Sequence, residues 1–526
     1  MNCELVTTDL QICESKSFQI MSHCFTAEKC SYFSSIDDWL ILINVCLFTD
    51  SKILIIGAGM SGVSAGKKLF DSGYRNVQIL EASNRIGGRV LEEDIQGHQV
   101  ELGALWIYGR GSNPIYNLAM KYNMSFNGDY NDDWTVYNDA GEIVNDAATI
   151  AYGRLTKAMQ KLSLLAANAR EMKMGDFSVR SGLRHVGWRP KTPLDDVVEI
   201  GLNDWEDGIE PCAVSGKYHY TADMFKEFGN GDLLLVNDQR GFSYMVKQLA
   251  EEMNDTADRF IFNQTIGEIK YNANGVTVTT TEDNVHTADY VIVTVSLGVL
   301  QQRLLTFVPP LTESKQMAID KFGMSQFTFI YVKYHESFWD NTMFLIYAGK
   351  QRGKMSIWIN MNVALPGSNM LQVSLVSDFA RWVAFNSDKE VLDEVKSTLK
   401  RMYPNRTIPD PLDYKISTWA LDPLFMGAFS YWPSGFTEHD MEILGQNVGR
   451  MYFAGEHTHP MHYGFLHGAY LAGERAANDV MDCIKDKNTC VESDLDNKTS
   501  SGSTFNLCIC LLIYIQITLH LNNRKT

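Results

Sequence analysis

Three glycines and an acidic residue have the types and the spacing needed to bind a diphosphate. Gly57, Gly59 and Gly62 form the pattern GxGxxG, and Glu81 follows further along the chain. The first glycine of such a pattern allows a tight turn, the second lets the backbone approach a pyrophosphate, and the third lets a helix pack on its strand. The carboxylate of Glu81 can accept hydrogen bonds from a ribose. Together these residues predict a bound dinucleotide.

The motif requires a strand, a turn, a helix and a second strand in that order. Residues 53–56 are a short apolar run, and residues 77–80 are a second such run that leads directly to Glu81. Between the runs, apolar residues repeat with the period of a helix at Val63, Ala65, Leu69 and Phe70. The sequence therefore predicts a Rossmann-like nucleotide-binding unit.

A second glycine turn follows Glu81. Arg85 and Arg89 flank Gly87 and Gly88, so the backbone can approach a ligand closely while two guanidinium groups bring positive charge to a diphosphate. The alternative interpretation is a surface turn with two solvated arginines.

At these residues the sequence resembles the flavin-containing amine oxidases, whose FAD motif has the same ExxxRxGGR form. The resemblance continues at residues 103–106, 296–300, 452–458 and 467–470, covers about residues 52–480, and is strongest to the plant-type polyamine oxidases. It implies FAD as the cofactor. It also places Trp106, Ile266, Gly455 and Glu456 beside the cofactor.

The resemblance implies an α/β (α+β) fold with two domains. A Rossmann-like FAD-binding domain is expected from residues 51–124, 229–313 and 422–484, and a substrate-binding domain with a mixed sheet and helices from residues 125–228 and 314–421. Local patterns predict helices at 147–172, 192–205 and 246–253 and strands at 276–280, 290–295, 327–332 and 372–376. The length of 526 residues, 45% of them hydrophobic, suffices for a large core.

The resemblance also implies an aromatic enclosure around the flavin ring. It places Trp419, Phe429 and Phe465 there, with Phe327 close by. Phe465 and Phe327 stand where the plant-type enzymes have tyrosine. A ring face can still hold an aliphatic ammonium through its quadrupole. Without the flanking motifs, the same four aromatics would indicate an ordinary core.

Two positions depart from the family pattern. Phe329 stands where the family has a lysine that supports reaction with oxygen, and Lys333, four residues on, lies about 13 Å away along a strand. Tyr108 replaces a carboxylate found in the plant-type enzymes. Glu210 matches the other carboxylate of their substrate tunnel, so one acid remains to attract a cation.

Four histidines raise the question of a metal. His457, His459, His462 and His467 have a spacing that fits no compact site, and no cysteine or carboxylate pair completes one. We therefore expect no metal. Glu456 could act as a general base, but the family placement favours a hydrogen-bond acceptor.

The net charge of -17 disfavours a nucleic-acid partner and would attract a small cationic amine, although a generic acidic surface explains it equally well. Of the ten cysteines, only Cys212 lies within the expected fold. Cys483 and Cys490 could pair in an oxidising compartment.

The two ends of the chain suggest targeting segments. Residues 1–50 are an extension or an atypical signal segment with an apolar run at 39–48, and a misplaced start is the alternative. A polar linker at 485–504 precedes a hydrophobic tail at 505–526, whose run at 505–521 is at the short limit of a membrane span. A GPI signal and an amphipathic tail are alternatives.

Five glycosylation sequons, at Asn123, Asn254, Asn263, Asn405 and Asn497, fit a secreted or extracellular membrane-anchored glycoprotein, although chance gives almost as many. An intracellular tail-anchored protein is the alternative.

We expect an amine oxidase that takes a hydride from a polyamine of the spermine or spermidine type and passes the electrons to molecular oxygen. A flavin-binding homologue with impaired chemistry, acting as a binder or scaffold, is the competing hypothesis, motivated by Phe329 and Tyr108. An amino-acid oxidase would need an arginine to clamp the substrate carboxylate, and none is assignable.

Overall fold

The computed structural model describes residues 51–128, 133–218, 228, 233–254, 256–486 and 490. The apolar run at 39–48, the tail at 505–526, most of the linker and Asn497 lie outside these residues. Within the described ranges, no helix has the length and apolar character needed to cross a membrane.

A five-stranded parallel sheet forms the centre of the first domain. Its strands are apolar and buried, as expected when helices or strands cover both faces, and in spatial order they are Met451–Phe453, Tyr290–Val293, Ile53–Ile56, Val77–Leu80 and Phe260–Ile261. All five strands fall in the segments expected for the FAD-binding domain.

Three helices cover one face of this sheet. Met60–Asp71 packs against Leu466–Lys485, and Ser243–Glu251 lies beside them. The first two helices touch at Gly473, where an added Cβ would lie 2.1 Å from the carbonyl oxygen of Ser61. The helix Leu466–Lys485 is thereby held against the glycine turn.

The opposite face is covered by a four-stranded sheet. Its strands, in spatial order, are Val285–Ala288, Gly275–Thr280, Ile266–Asn272 and Thr306–Val308. Val276 and Val278 alternate toward the core, where they pack with Leu54 and Ile56.

A six-stranded mixed sheet forms the second domain. Its strands, in spatial order, are Asp413–Ile416, Phe327–Lys333, Met370–Val376, Ile357–Asn360, Phe344–Ala348 and Trp134–Asn138. Along its second strand, Ile330 and Val332 enter one hydrophobic cluster while Phe329 and Tyr331 enter another. The strand thus turns Phe329 toward the first domain.

Helices flank this sheet, namely Asn145–Glu171, Val179–His185, Pro193–Glu199, Ser377–Phe385 and Asp388–Met402. The helix predicted over 192–205 is not regular: its α-helical part ends at Glu199, a π-helix spans Ile200–Asp204, and one α-turn follows at Trp205–Asp207.

Shorter elements join the two domains. Glu92–Ile95 pairs with His98–Glu101, and Gly323–Met324 pairs with Ser430–Tyr431. In a small three-stranded sheet, Leu233–Val236 lies between Trp106–Tyr108 and Phe126–Gly128. The remaining helices are Pro114–Lys121, Thr256–Arg259, Leu297–Gln301, Glu313–Lys321, Met361–Ala364, Glu438–Gly445 and the 3-10 turn Glu456–Thr458. Cys483 and Cys490 form a disulfide at the end of the helix Leu466–Lys485, and Cys212 is free and exposed.

Candidate active site

The first glycine turn does not accommodate side chains at Gly57 or Gly62. Gly57 has a φ of +104°, and a Cβ on Gly62 would lie 1.9 Å from the carbonyl oxygen of Gly57. The second glycine turn approaches the first so closely that a Cβ on Gly88 would lie 3.1 Å from the Cα of Gly59. The two turns therefore meet and form one floor, as a ligand bound across both would require.

Glu81 connects this floor to the end of its strand. One carboxylate oxygen accepts a hydrogen bond from the backbone N–H of Ala58 at 2.7 Å, and the other accepts two from Ser83 at 2.8 and 2.7 Å. Glu81 also lines the central cavity. The contact of Glu81 with a ribose stays a prediction.

The two motif arginines have different environments. The guanidinium of Arg85 donates to the carbonyl oxygens of Gly88 at 2.6 Å and Val90 at 3.1 Å, so it holds the second glycine turn in shape. Arg85 is not among the residues that line the cavity, and its predicted contact with a diphosphate stays a prediction. Arg89 lines the cavity, and its Nη1 lies 3.0 Å from Glu456.

Glu456 is buried at the carboxyl end of the parallel sheet. Its carboxylate accepts hydrogen bonds from Arg89, from the hydroxyl of Ser430 and from the N–H of Gly464. Burial alone would raise the pKa of Glu456, but the charge of Arg89 and these hydrogen bonds lower it below its ordinary value. Gly455, just before it, has a φ of +120° and lines the cavity with it.

Two histidines near this strand, His457 and His459, lie in surroundings that favour the neutral imidazole. Burial lowers the pKa of His457 to about 4 and that of His459 to about 3. Among the residues that the structure describes, no group of three or more His, Cys, Asp or Glu side chains could hold a metal ion.

A cavity of about 610 Å³ runs between the two domains, a size typical of cofactor and ligand sites. The residues predicted to bind the cofactor that line it are Gly57, Gly59, Glu81, Gly88, Arg89, Trp106, Ile266, Gly455 and Glu456. Gly62 lies beneath the turn instead, where it brings the helix against Gly57.

The glycine end of this cavity fits a diphosphate-linked cofactor. The helix Met60–Asp71 begins without a capping side chain, so its first N–H groups remain available to an anion. In the described part of the chain, the buried hydroxyl of Ser61 has no hydrogen-bond partner, and Ser61 lines the cavity. FAD would be held here by the two glycine turns, Glu81 and Arg89.

The other end of the cavity is aromatic. The rings of Phe327 and Phe329 lie 5.1 Å apart, those of Phe327 and Phe429 5.8 Å, and those of Tyr108 and Phe465 4.9 Å. The structure therefore brings the predicted aromatic residues into one wall, to which Trp419 also belongs.

The tryptophans of this wall differ in the hydrogen bonds of their indole N–H groups. The indole N–H of Trp419 donates to the carbonyl oxygen of Leu102 at 2.7 Å, which fixes the ring. The buried indole N–H groups of Trp106 and Trp205 have no acceptor among the described residues, and both side chains line the cavity. Two donors are thus available to a ligand.

Two carboxylates that were not predicted from the sequence lie at the aromatic end of the cavity. Glu206 and Asp207 line the cavity, whereas Glu210 lies beyond the turn at Gly208 and is not part of the wall. Glu206 and Asp207 are thus the carboxylates that line this cavity, and the tunnel role that the family resemblance implies for Glu210 stays a prediction. The sequence does show an acidic pair beside Trp205, at the end of a predicted helix. The regular helix predicted there does not reveal that these two carboxylates face the cavity.

The environment of these acids favours their neutral forms. Burial raises the pKa of Glu206 to about 7, although a hydrogen bond from the hydroxyl of Tyr108 at 3.4 Å acts in the opposite direction. The pKa of Asp207 is raised well above its ordinary value by burial and by the neighbouring charges of Glu206 and Asp204. A bound cation would stabilise the ionised forms.

The lysine that the family resemblance implies has no replacement in the wall. Among the described residues that line the cavity there is no lysine. Lys333 instead donates to the carbonyl oxygen of Ser368 at 3.1 Å and lies 3.2 Å from a ring nitrogen of His98.

A Rossmann-like domain, a glycine floor that accommodates a diphosphate and a facing aromatic chamber define an FAD-binding oxidoreductase. A sequence profile described as flavin containing amine oxidoreductase matches residues 60–481. Polyamine oxidase 6 of Oryza sativa subsp. japonica is 34% identical over 456 residues, which cover 83% of this chain and 92% of the relative. Polyamine oxidase 1 of Zea mays is 33% identical over 461 residues, covering 83% and 91%.

The fold comparison agrees with these sequence relatives. A solved structure of a putrescine oxidase double mutant superposes with a TM-score of 0.66 over 82% of this chain and 99% of that one, at 19% identity. The chain belongs to the flavin-containing amine oxidoreductases, with FAD as its cofactor and amines as its substrates.

Proposed function

We propose that the protein oxidises a polyamine of the spermine or spermidine type with molecular oxygen, giving an aldehyde, a shorter amine and hydrogen peroxide. One observation carries the proposal: a single cavity extends from the glycine floor through an aromatic chamber to the carboxylates Glu206 and Asp207. Bound FAD supplies a hydride acceptor for the carbon beside the amine nitrogen and passes the electrons to oxygen.

The side chains of the chamber bind and orient such a substrate. The carboxylate of Glu206 attracts one ammonium group of a polyamine, and the faces of Phe327 and Phe429 hold the aliphatic chain between its nitrogens. The reacting nitrogen must be neutral to release a hydride from its carbon. An apolar wall favours that neutral form by excluding water.

A second candidate function is supported by Phe329. This ring occupies the cavity wall at the position of the family lysine, and it is buried between Phe327 and Tyr331. A flavin-binding protein with impaired oxidase chemistry, acting as a binder or scaffold, would have the same cofactor floor and would not need the lysine.

One experiment separates the two candidates. The purified protein is checked for a flavin spectrum, made anaerobic and mixed with spermine or spermidine. Bleaching of the flavin, followed by peroxide formation on admission of air, supports the oxidase. Bleaching with slow re-oxidation indicates that the missing lysine limits the reaction with oxygen. A spectrum that stays yellow with every polyamine favours the binder. Free lysine serves as the control for an amino-acid oxidase.

We also propose that the protein is secreted or anchored outside the cell. The disulfide between Cys483 and Cys490 supports an oxidising compartment. The four sequon asparagines that the structure describes are all exposed, at Asn123, Asn254, Asn263 and Asn405. Protein expressed in eukaryotic cells should appear in the medium or on the cell surface and should lose mass on treatment with an N-glycosidase. Retention inside the cell at an unchanged mass would favour the intracellular alternative.

A further inference from the structure

Two buried acids and two partly buried arginines form a charged network next to the carboxylates that line the cavity. Arg352, in the loop after the strand Phe344–Ala348, donates to the two oxygens of Asp204 at 2.6 and 2.7 Å and to Glu199 at 2.9 Å. Arg180 donates to both oxygens of Glu199 at 2.7 and 2.6 Å. Each buried acid is thus matched by a guanidinium group in two-pronged geometry, the arrangement that gives ion pairs their strongest directional preference.

The two acids mark the two ends of one irregular segment. Glu199 is the last residue of the α-helix Pro193–Glu199, and Asp204 is the last residue of the π-helix Ile200–Asp204. Because Arg352 binds both, it holds the π-helix at each end. Its guanidinium comes from a strand connection of the mixed sheet, 148 residues away from Asp204 in sequence.

The direction in which the next three side chains point depends on this segment. Trp205, Glu206 and Asp207 follow the π-helix without a break, and Gly208 then turns the chain at a φ of +66°. A π-helix winds through a smaller angle per residue than an α-helix, so a return to α-helical geometry would rotate the following side chains to another face. π-Helical turns also occur often at functional sites.

We propose that Arg352 is a positioning residue which, by clamping the π-helix through Asp204 and Glu199, aims the carboxylates of Glu206 and Asp207 into the cavity as a subsite for a cationic alkylammonium group. This inference rests on the proposed function, because the cation is the distal ammonium of the amine substrate. Arg352 itself does not need to touch the ligand. It acts through the backbone that it fixes.

The test measures binding without turnover. The probe is a bis-quaternary alkane diammonium ion, which has no nitrogen lone pair and cannot be oxidised to an imine, and its affinity for the FAD-loaded protein is measured by calorimetry. Arg352→Met should raise the Kd about tenfold or more, because displaced binding groups lose affinity steeply. Arg352→Lys keeps the charge and loses the two-pronged geometry, so its Kd should be intermediate.

A matched control is available at the helix Pro193–Glu199. Arg154, which lies on the helix Asn145–Glu171, pairs with Asp195 of that helix, but the Arg154 side chain is 59% exposed and lies outside the network. Arg154→Met should leave the Kd unchanged. The FAD content of all variants should equal that of the wild type, because the glycine floor belongs to the other domain. A purely structural role for Arg352 would lower the unfolding temperature without moving the Kd.

The outcomes separate this inference from the proposed function. If Arg352→Met does not accumulate as folded protein, Arg352→Lys and Asp204→Asn decide, and an unchanged Kd in both overturns the inference. Failure of the wild type to bind the probe also overturns it. A wild type that binds the probe but is not reduced by spermidine refutes the proposed function alone. Weaker binding in the Arg352 variants would then still support the positioning role.

Discussion

Replacing Glu206 by glutamine should remove most of the pH dependence of cation binding below neutral pH. Burial raises the pKa of Glu206 from its ordinary value of 4.5 to about 7. A cation bound beside the carboxylate favours the ionised form and lowers this pKa in the complex. The free protein therefore binds the proton more tightly than the complex does. It follows that cation affinity rises as the pH rises toward 7.

The pKa shift sets the size of this effect. If a bound cation returns the pKa to 4.5, the change of about 2.5 units is worth about 3.4 kcal/mol, at about 1.36 kcal/mol per unit. Affinity would then increase by up to about 300-fold between about pH 4.5 and 7, and remain constant above pH 7.

The assay is a calorimetric titration with the bis-quaternary diammonium probe between pH 5 and 8.5. The charge of the probe does not change with pH, so any slope belongs to the protein. Glu206→Gln should bind the probe weakly and with little slope, whereas Glu210→Gln, outside the cavity wall, should behave like the wild type. A flat wild-type profile, or the full slope in Glu206→Gln, would refute the assignment of this carboxylate to the cation subsite.

Three other substitutions test the remaining assignments. Phe329→Lys should speed the re-oxidation of reduced flavin by oxygen in stopped-flow measurements, and an unchanged rate would contradict the role given to that position. Arg89→Met leaves the buried carboxylate of Glu456 without its ion pair, which should destabilise the protein by about 3 kcal/mol in denaturant titrations and reduce the FAD content. Gly62→Ala places a Cβ against the carbonyl oxygen of Gly57, so the purified protein should lack the flavin spectrum, and a normal FAD content would exclude the proposed turn geometry.

The cofactor half of the site was largely predictable because its constraints are local. Gly57 is required by its positive φ, and Gly62 is required because a Cβ there would meet the carbonyl oxygen of Gly57. Such local constraints leave a direct record in the sequence. The backbone partners of Arg85 were not predictable for a related reason. A guanidinium group can satisfy backbone carbonyls as readily as a phosphate, and the sequence shows the donor but not its acceptor.

The substrate half was predicted less well because its geometry depends on contacts between distant segments. A period of 3.6 residues correctly indicated a helix before Trp205, but it contains no sign of the π-helix that turns Glu206 and Asp207 into the cavity. That π-helix is held by Arg352, which lies in a loop between two strands of the mixed sheet. In this protein the cofactor floor is therefore specified by neighbouring residues and the amine subsite by long-range charge pairing. Substitutions in the network around Arg352 should accordingly change cation affinity while FAD binding stays the same, because the two properties depend on separate sets of contacts.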